Sequence, residues 1–136
     1  MTAEEVRAMM PRMPFNMLLG FKLTRLHKDG LTIECTVRPD LLNGARVVHG
    51  GVTATMADAA VGIALNRHFG GARPLTTVEL KINYFRPVAE GKIRARAYLV
   101  RIGSSICVGR ADIMDSARKL IATALVTYML LDVKRG

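Results

Sequence analysis

Hydrophobic positions recur along this chain in two rhythms, and the places where the rhythm changes mark its elements. From Phe21 to Leu26 and again from Leu31 to Val37, apolar and polar residues alternate with the period of a half-buried strand. Lys28, Asp29 and Gly30 between the two runs have turn chemistry, so the pair predicts a β-hairpin, which Pro39 closes. From Val52 to about His68 the period is helical: Val52, Met56, Ala59, Ala60 and Ile63 return at spacings of three and four, and Gly70-Gly71 ends the run. Ala54, Ala57 and Ala64 keep that helix slim. Small residues on every side predict a buried helix, because they let a curved sheet approach closely. Alternation resumes over Thr76–Phe85, Gly91–Ile102, Ser105–Met114 and Lys119–Leu131, with tight turns at Gly103-Ser104 and Asp115-Ser116-Ala117.

The N-terminal stretch reads differently. Thr2 to Glu5 fits a capping box, after which Val6, Met9 and Met10 fall on one helical face, and the helix should stop before Pro11. Pro14 to Gly20 reads as an apolar linker turning over the sheet. The order is therefore two strands, one long helix, then four strands in a mostly antiparallel meander. A single sheet buries such a helix only by curling around it, which predicts an α+β fold with a curved sheet wrapped around one central helix. Residues 1–136 are expected to form one domain, with 1–20 as an N-terminal helix and linker.

Composition narrows the picture. Half the residues are hydrophobic but only 5% are aromatic, so the core must be filled by aliphatics, Ala and the eight Met. No window approaches the run of about 20 apolar residues that a membrane span needs, and Glu4 and Glu5 stand where a signal peptide would be basic and then apolar. The expectation is a cytoplasmic protein with no membrane span. Cys35 and Cys107 lie far apart, outside any metal-ligand spacing, and read as half-buried, inert strand thiols; no metal site and no cofactor motif is predicted. A formal charge of +9 creates a field that attracts polyanions, either nucleic acid or a polyphosphorylated ligand. The scarcity of aromatic stacking candidates argues against nucleic acid. Arg94, Arg96 and Arg101 read first as a solvated strand face and second as a phosphate site.

The candidate chemistry is concentrated in Asn43-Gly-Ala-Arg-Val-Val-His49-Gly50-Gly51-Val52, which runs directly into the helix carrying Asp58. Two glycines after a histidine mark a tight turn with unobstructed amides at a helix start, where unpaired N–H groups and a partial positive end suit a developing oxyanion. Asp58 supplies a carboxylate whose helical neighbours, Ala54, Thr55, Val61 and Gly62, offer no charged partner. A carboxylate and an oxyanion site together suit hydrolysis at an acyl carbonyl.

These residues resemble the HotDog-fold acyl-CoA thioesterases, in particular the branch similar to the phenylacetate-pathway thioesterase. The resemblance covers roughly Leu18 to Leu131 and is carried by Asn43, by His49-Gly50-Gly51, by Asp58 nine positions after the histidine, and by Thr77-Val-Glu-Leu-Lys-Ile-Asn-Tyr-Phe-Arg-Pro87. It implies that the Gly50 N–H polarises the thioester carbonyl, that Asn43 and His49 shape that end of the site, and that Asp58 is nucleophile or general base with Thr77 orienting it or the water. Thr77 stands where relatives carry serine, which keeps the hydroxyl. Gly51 and the turn Gly103-Ser104-Ser105 are further candidates for binding substrate, the turn through backbone N–H groups offered to phosphate.

The reading from sequence is thus a thioesterase that cleaves acyl- or aryl-CoA to free acid and coenzyme A. A non-catalytic acyl-CoA-binding domain, a nucleic-acid module and a HotDog dehydratase are the rivals; the dehydratase lacks support because its characteristic helix entry and glutamate are missing. Helix geometry adds an expectation about assembly. Gly50 and Asp58 lie roughly 12 Å apart along one helix, too far for one thioester carbon to touch both. A homodimer with antiparallel helices across a two-fold axis would bring the Asp58 of one chain beside the Gly50 of the other, and a dimer of dimers is the expected assembly.

Overall fold

The computed structural model describes residues 1–132. Helix α1 (Ala3–Met9) opens with the expected box: the Glu5 N–H donates to the Thr2 hydroxyl at 3.2 Å, and the Thr2 N–H to Glu5 Oε2 at 2.9 Å. A short 3₁₀ turn, Met10–Arg12, follows. Pro14–Leu19 forms a second helix, α2, where a linker was expected. Pro14 suits a first helical position, where its missing N–H costs no bond, and Gly20 at φ 78° ends the helix in the left-handed region.

The hairpin is present as β1 (Lys22–His27) and β2 (Gly30–Thr36), antiparallel to one another. The long helix, α3, runs from Gly50 to His68 and is followed by β3 (Leu75–Tyr84), β4 (Lys92–Ile102), β5 (Ile106–Met114) and β6 (Leu120–Leu130). The strands make one antiparallel sheet in the order β1-β2-β4-β5-β6-β3. The four-strand meander is therefore corrected: only β4, β5 and β6 follow one another, while β3 crosses to the far edge and pairs with β6. The long connection through Phe85–Gly91 lets the chain leave that edge and re-enter beside β2.

The sheet curls around α3, whose Met56, Ala57, Ala60, Val61, Ile63, Ala64 and Leu65 are almost wholly removed from solvent. The facing strand positions are Leu31, Ile33, Cys35, Ile93, Ala95, Ala97, Cys107, Ala111, Ile113, Ala122, Ala124 and Val126. Both cysteines are fully buried rather than half-buried, and burial pushes the Cys35 thiol above its ordinary pKa. Alanines on both sides set a short distance between helix and sheet. Gly109 makes the closest approach possible, since a Cβ built there would lie 2.4 Å from Val61 Cγ1.

The other face of the sheet carries the charge. Arg96 pairs with Asp29 at 2.6 Å, Lys92 and Arg94 with Glu34 at 3.4 Å, and Arg110 with Asp112 at 3.4 Å. Arg96 and Arg110 also lie over the Tyr98 ring, 4.0 and 4.3 Å from its centroid. His27, at the edge of this face, is held below its ordinary pKa, first by burial and then by Arg96 and Arg25. Among the described residues, no helix is long and apolar enough to cross a membrane.

Gly109→Ala tests the spacing between helix and sheet. The added methyl has to displace Val61, so the variant is expected to lose about 1–3 kcal/mol of unfolding free energy in urea titrations. An unchanged midpoint would mean that the helix has room to move away.

Candidate active site

The loop that leads into α3 is built by Asn43. Its side-chain oxygen accepts from the N–H groups of Ala45 (3.0 Å) and Val47 (3.3 Å), and its backbone N–H donates to the Val47 carbonyl at 2.8 Å. This ring of bonds, with Arg46 in the left-handed region at φ 65°, delivers the chain to His49. The Asn43 side-chain N–H₂ has no acceptor among the described residues.

His49 caps the helix. Its Nδ1 accepts from the Gly51 N–H at 2.8 Å, and its carbonyl accepts from Val52 and Thr53 at 2.9 and 3.4 Å. A neutral ring in this bond carries its proton on Nε2. The consequence is selective: the amides of Gly51, Val52 and Thr53 are taken up, and the Gly50 N–H is the first-turn donor with no acceptor among the described residues. Gly51 thus offers no free N–H. Its contribution is the absence of a side chain, since a Cβ there would lie 2.9 Å from His49 Nδ1.

Gly50 and Asn43 line a cleft of about 400 Å³, together with Val48, Tyr84, Arg86 and Ile121. The Tyr84 hydroxyl donates to the Gly50 carbonyl, which pins the first residue of α3 to the end of β3. Burial raises the Tyr84 pKa, which keeps the hydroxyl a donor.

Asp58 opens into a second cleft, of about 380 Å³, whose walls include Met13 and Phe15 from the N-terminal segment, Ala59 and Ile63 from α3, and Leu75 from β3. The carboxylate has partners that helical spacing did not predict, because both come from strands. Thr77 Oγ1 donates to Asp58 Oδ1 at 2.8 Å. The Tyr128 hydroxyl, from β6, lies within donating distance of the same Oδ1 (2.6 Å) and of the Asp58 carbonyl (2.8 Å). Tyr128 is held well above the ordinary tyrosine pKa, first by burial and then by the neighbouring Asp58 charge.

Thr77 reaches Asp58 through an irregularity. The register of β3 on β6 shifts between Thr77, opposite Tyr128, and Glu79, opposite Thr127. Thr77, Leu80 and Ile82 all face the helix side, although strict alternation would put Thr77 on the opposite face from the other two. The bulge at Val78 supplies the missing step.

The structure therefore brings Asn43, His49, Gly50 and Gly51 together at one cleft and Asp58 with Thr77 at another. The turn Gly103-Ser104-Ser105 belongs to neither. Its Gly103 N–H donates to the Ile106 carbonyl at 3.0 Å and closes the β4–β5 hairpin, while Ser104 and Ser105 are exposed and the Arg101 side chain lies near Gly103. No group of three or more His, Cys, Asp or Glu among the described residues could hold a metal ion. Sequence reasoning missed Tyr128 and gave Tyr84 no role. The signal for Tyr128 was its phase, since it continues the buried face of Ala124 and Val126, and a buried phenol needs a polar partner.

Comparison with known proteins bears on the family and the fold. The family model described as the thioesterase superfamily matches residues 45–122. The medium/long-chain acyl-CoA thioesterase YigI of Escherichia coli is 30% identical over 133 residues, covering 87% of this chain and 86% of that protein. Among solved structures, a mutant of the phenylacetic acid degradation protein PaaI from Thermus thermophilus superposes with a TM-score of 0.78 at 28% identity, over 87% of this chain and 99% of that one. The thioesterase HI1161 of Haemophilus influenzae shares the fold, with a TM-score of 0.90 at 22% identity over 99% and 94% of the two chains.

The cap is testable apart from catalysis. His49→Ala removes the acceptor for the Gly51 N–H and is expected to cost about 1 kcal/mol of stability, whereas His49→Asn, a strong N-cap residue, should recover most of it. Equal stability of the alanine variant and the parent would show that the His49 bond contributes nothing to the helix start.

Proposed function

Because this chain belongs to the thioesterase superfamily, we propose that it hydrolyses acyl-CoA thioesters to the free acid and coenzyme A, with the Gly50 N–H and the Asp58 carboxylate as its two chemical groups. The observation that carries the assignment is the pair of unengaged atoms. Among the described residues, Gly50 has the one first-turn N–H with no acceptor, and Asp58 has one oxygen held by two hydroxyls and the other without a partner.

The chemistry follows from those atoms. The Gly50 N–H, at the positive end of α3, donates to the thioester carbonyl and strengthens its bond as negative charge gathers on that oxygen. In one course, the free oxygen of Asp58 takes a proton from water while the water oxygen bonds to the carbonyl carbon. The tetrahedral adduct then collapses, the C–S bond breaks, and the proton passes to the departing sulfur, giving acid and thiol. In the other, Asp58 itself bonds to the carbonyl carbon and expels the thiolate, and water then hydrolyses the mixed anhydride. In a single turnover in ¹⁸O-water, label appearing in the Asp58 carboxylate marks the anhydride course, in which water attacks the Asp58 carbonyl, whereas the water-activating course puts the label only in the product acid.

Asn43 and His49 act at the carbonyl end, Asn43 through its free side-chain N–H₂ and His49 by holding the helix start. Thr77 orients Asp58. The basic surface steers the coenzyme A phosphates toward the site, and Ser104 and Ser105, with Arg101, form the candidate phosphate contact.

The assembly belongs to the same proposal. One thioester carbon cannot reach two groups roughly 12 Å apart on one helix, and they open into separate clefts. The strand between those clefts, β3, is an edge of the sheet and is largely exposed, with Val78 at 56% and Tyr84 at 51%. The opposite edge, β1, carries Lys22 and Arg25 and meets α1, where Arg7 donates to the Leu23 carbonyl. Pairing of two β3 edges about a two-fold axis joins the sheets and sets Gly50 and Asn43 of one subunit against Asp58 and Thr77 of its partner.

Asp58→Asn keeps the volume and removes the charge. It is expected to fold normally and to lose about two to four orders of magnitude in turnover, followed as thiol release from a panel of straight-chain acyl-CoA esters and phenylacetyl-CoA. Turnover near the parent rate on the best ester would refute the catalytic role and favour a domain that only binds acyl-CoA.

The shared site has its own test. Asp58→Ala and Asn43→Ala subunits, each inactive alone, are unfolded, mixed in equal amounts and refolded. Random pairing places both lesions in one site of each heterodimer and leaves the other intact, so about a quarter of parental activity should return. Mixtures that contain heterodimer and stay inactive would exclude a site built from two chains.

A further inference from the structure

The Asp58 cleft contains one device that thioester chemistry does not itself demand. Tyr128 projects from the buried face of β6 toward α3, one helical turn along from Asp58, and its hydroxyl reaches the carboxylate at 2.6 Å. Thr77 reaches the same oxygen from β3 at 2.8 Å. Two donors on Oδ1 fix the rotation of the carboxyl group, whereas Oδ2 has no hydrogen-bond partner among the described residues. The approach of Tyr128 depends on Gly62, the residue one turn after Asp58: a Cβ there would lie 2.5 Å from the phenol oxygen and 3.1 Å from the carbon that bears it. Glycine in a helix interior costs backbone entropy relative to alanine, so nothing about helix formation asks for it here.

We propose that Tyr128 is a positioning residue for Asp58, holding Oδ1 together with Thr77 so that Oδ2 is the reacting oxygen, and that Gly62 is the gap in α3 that admits the tyrosine. The proposal rests on the reading that Asp58 carries the reaction. Tyr128 acts through the carboxylate. Its hydroxyl has a single proton, and the nearest acceptor is Asp58 Oδ1. Burial and the Asp58 charge both oppose its ionisation, so it stays a donor throughout the working pH range. Asp58 and Tyr128 are the titratable side chains that line this cleft. In the two-chain site proposed above the Gly50 cleft, with Tyr84, Arg86 and the helix-capping His49 behind it, faces them as well, so the acid limb is read as a difference between variant and parent.

Tyr128→Phe removes the hydroxyl and keeps the ring in the core. Loss of a hydrogen bond to a charged group is expected to lower kcat about tenfold, with KM within about twofold of the parent. It should also move the acid limb of the kcat profile to higher pH, because the ionised carboxylate has lost a donor. A merely structural loss would lower the active fraction and leave the limb in place. Gly62→Ala in the parent should lower kcat by a similar factor while near-UV circular dichroism remains native. In the Tyr128→Phe background, where no hydroxyl is left to displace, the same alanine should cost less than about threefold more.

Parental kcat with an unmoved acid limb in Tyr128→Phe would overturn the proposal. So would a Gly62→Ala effect as large in the phenylalanine background as in the parent, since the glycine would then serve something other than the hydroxyl. Should Tyr128→Phe fail to fold, Gly62→Ala alone decides, through its kcat and acid limb. Asp58→Asn assayed alongside separates the two readings: an inactive asparagine variant with an unaffected Tyr128→Phe defeats the positioning role and leaves the function standing, and an active asparagine variant defeats both.

Discussion

The close seating of α3 inside the curled sheet is the constraint on which the rest of this structure depends. It is made by subtraction. Ala57, Ala60 and Ala64 on the helix meet Ala95, Ala97, Ala111, Ala122 and Ala124 on the strands, and Gly109 removes even the Cβ where Val61 comes closest. A core of larger side chains would bury as much area, but it would hold the helix away from the sheet and out of reach of hydroxyls that project from β3 and β6. The small residues therefore serve the site as well as the core, because they set the distance across which Thr77 and Tyr128 meet Asp58.

The helix start and the carboxylate are specialised by opposite means. At Gly50 the surroundings engage every competing first-turn donor, through the His49 ring and carbonyl, and leave one N–H unengaged. At Asp58 they engage one oxygen twice and leave the other free. In the proposed mechanism both sites are prepared by assigning partners to the atoms that should not react. Such preparation needs no reorganisation when substrate arrives, which is the condition under which dipoles and charges are most effective in catalysis.

Much of this was legible in the sequence, and the remainder was hidden for physical reasons. Alternation and helical spacing gave the hairpin, α3 and the four later strands close to their observed bounds, because each segment has one buried face. The H-G-G turn and Asp58 were legible because a glycine pair and an acid among alanines are hard to explain otherwise. Strand order was not, since alternation tells which face of β3 is buried but not which neighbour it pairs with, and β6 lies some fifty residues away. The Val78 bulge likewise kept alternation from showing that Thr77 faces the helix, because one extra residue reverses every later side chain; it was the family resemblance that put Thr77 at Asp58. Pro14–Leu19 was taken for a linker because its two turns are too short for a helical period to stand out. Tyr128 went unremarked within its strand because its ring is core; only its last atom reaches Asp58.

Tyr84 and Thr77 together have a consequence for how β3 can vary. An edge strand ordinarily tolerates a gain or loss of two residues, since a step of two returns each side chain to its own face. Here one end of the strand is attached to the first residue of α3, through Tyr84 and the Gly50 carbonyl, and the other to the middle of the same helix, through Thr77 and Asp58. The two attachments make β3 a strut of fixed length across the helix. Its most exposed residues are free to change identity, but the number of residues between Thr77 and Tyr84 is not, and in this chain that count is set by the helix it crosses rather than by the sheet it belongs to.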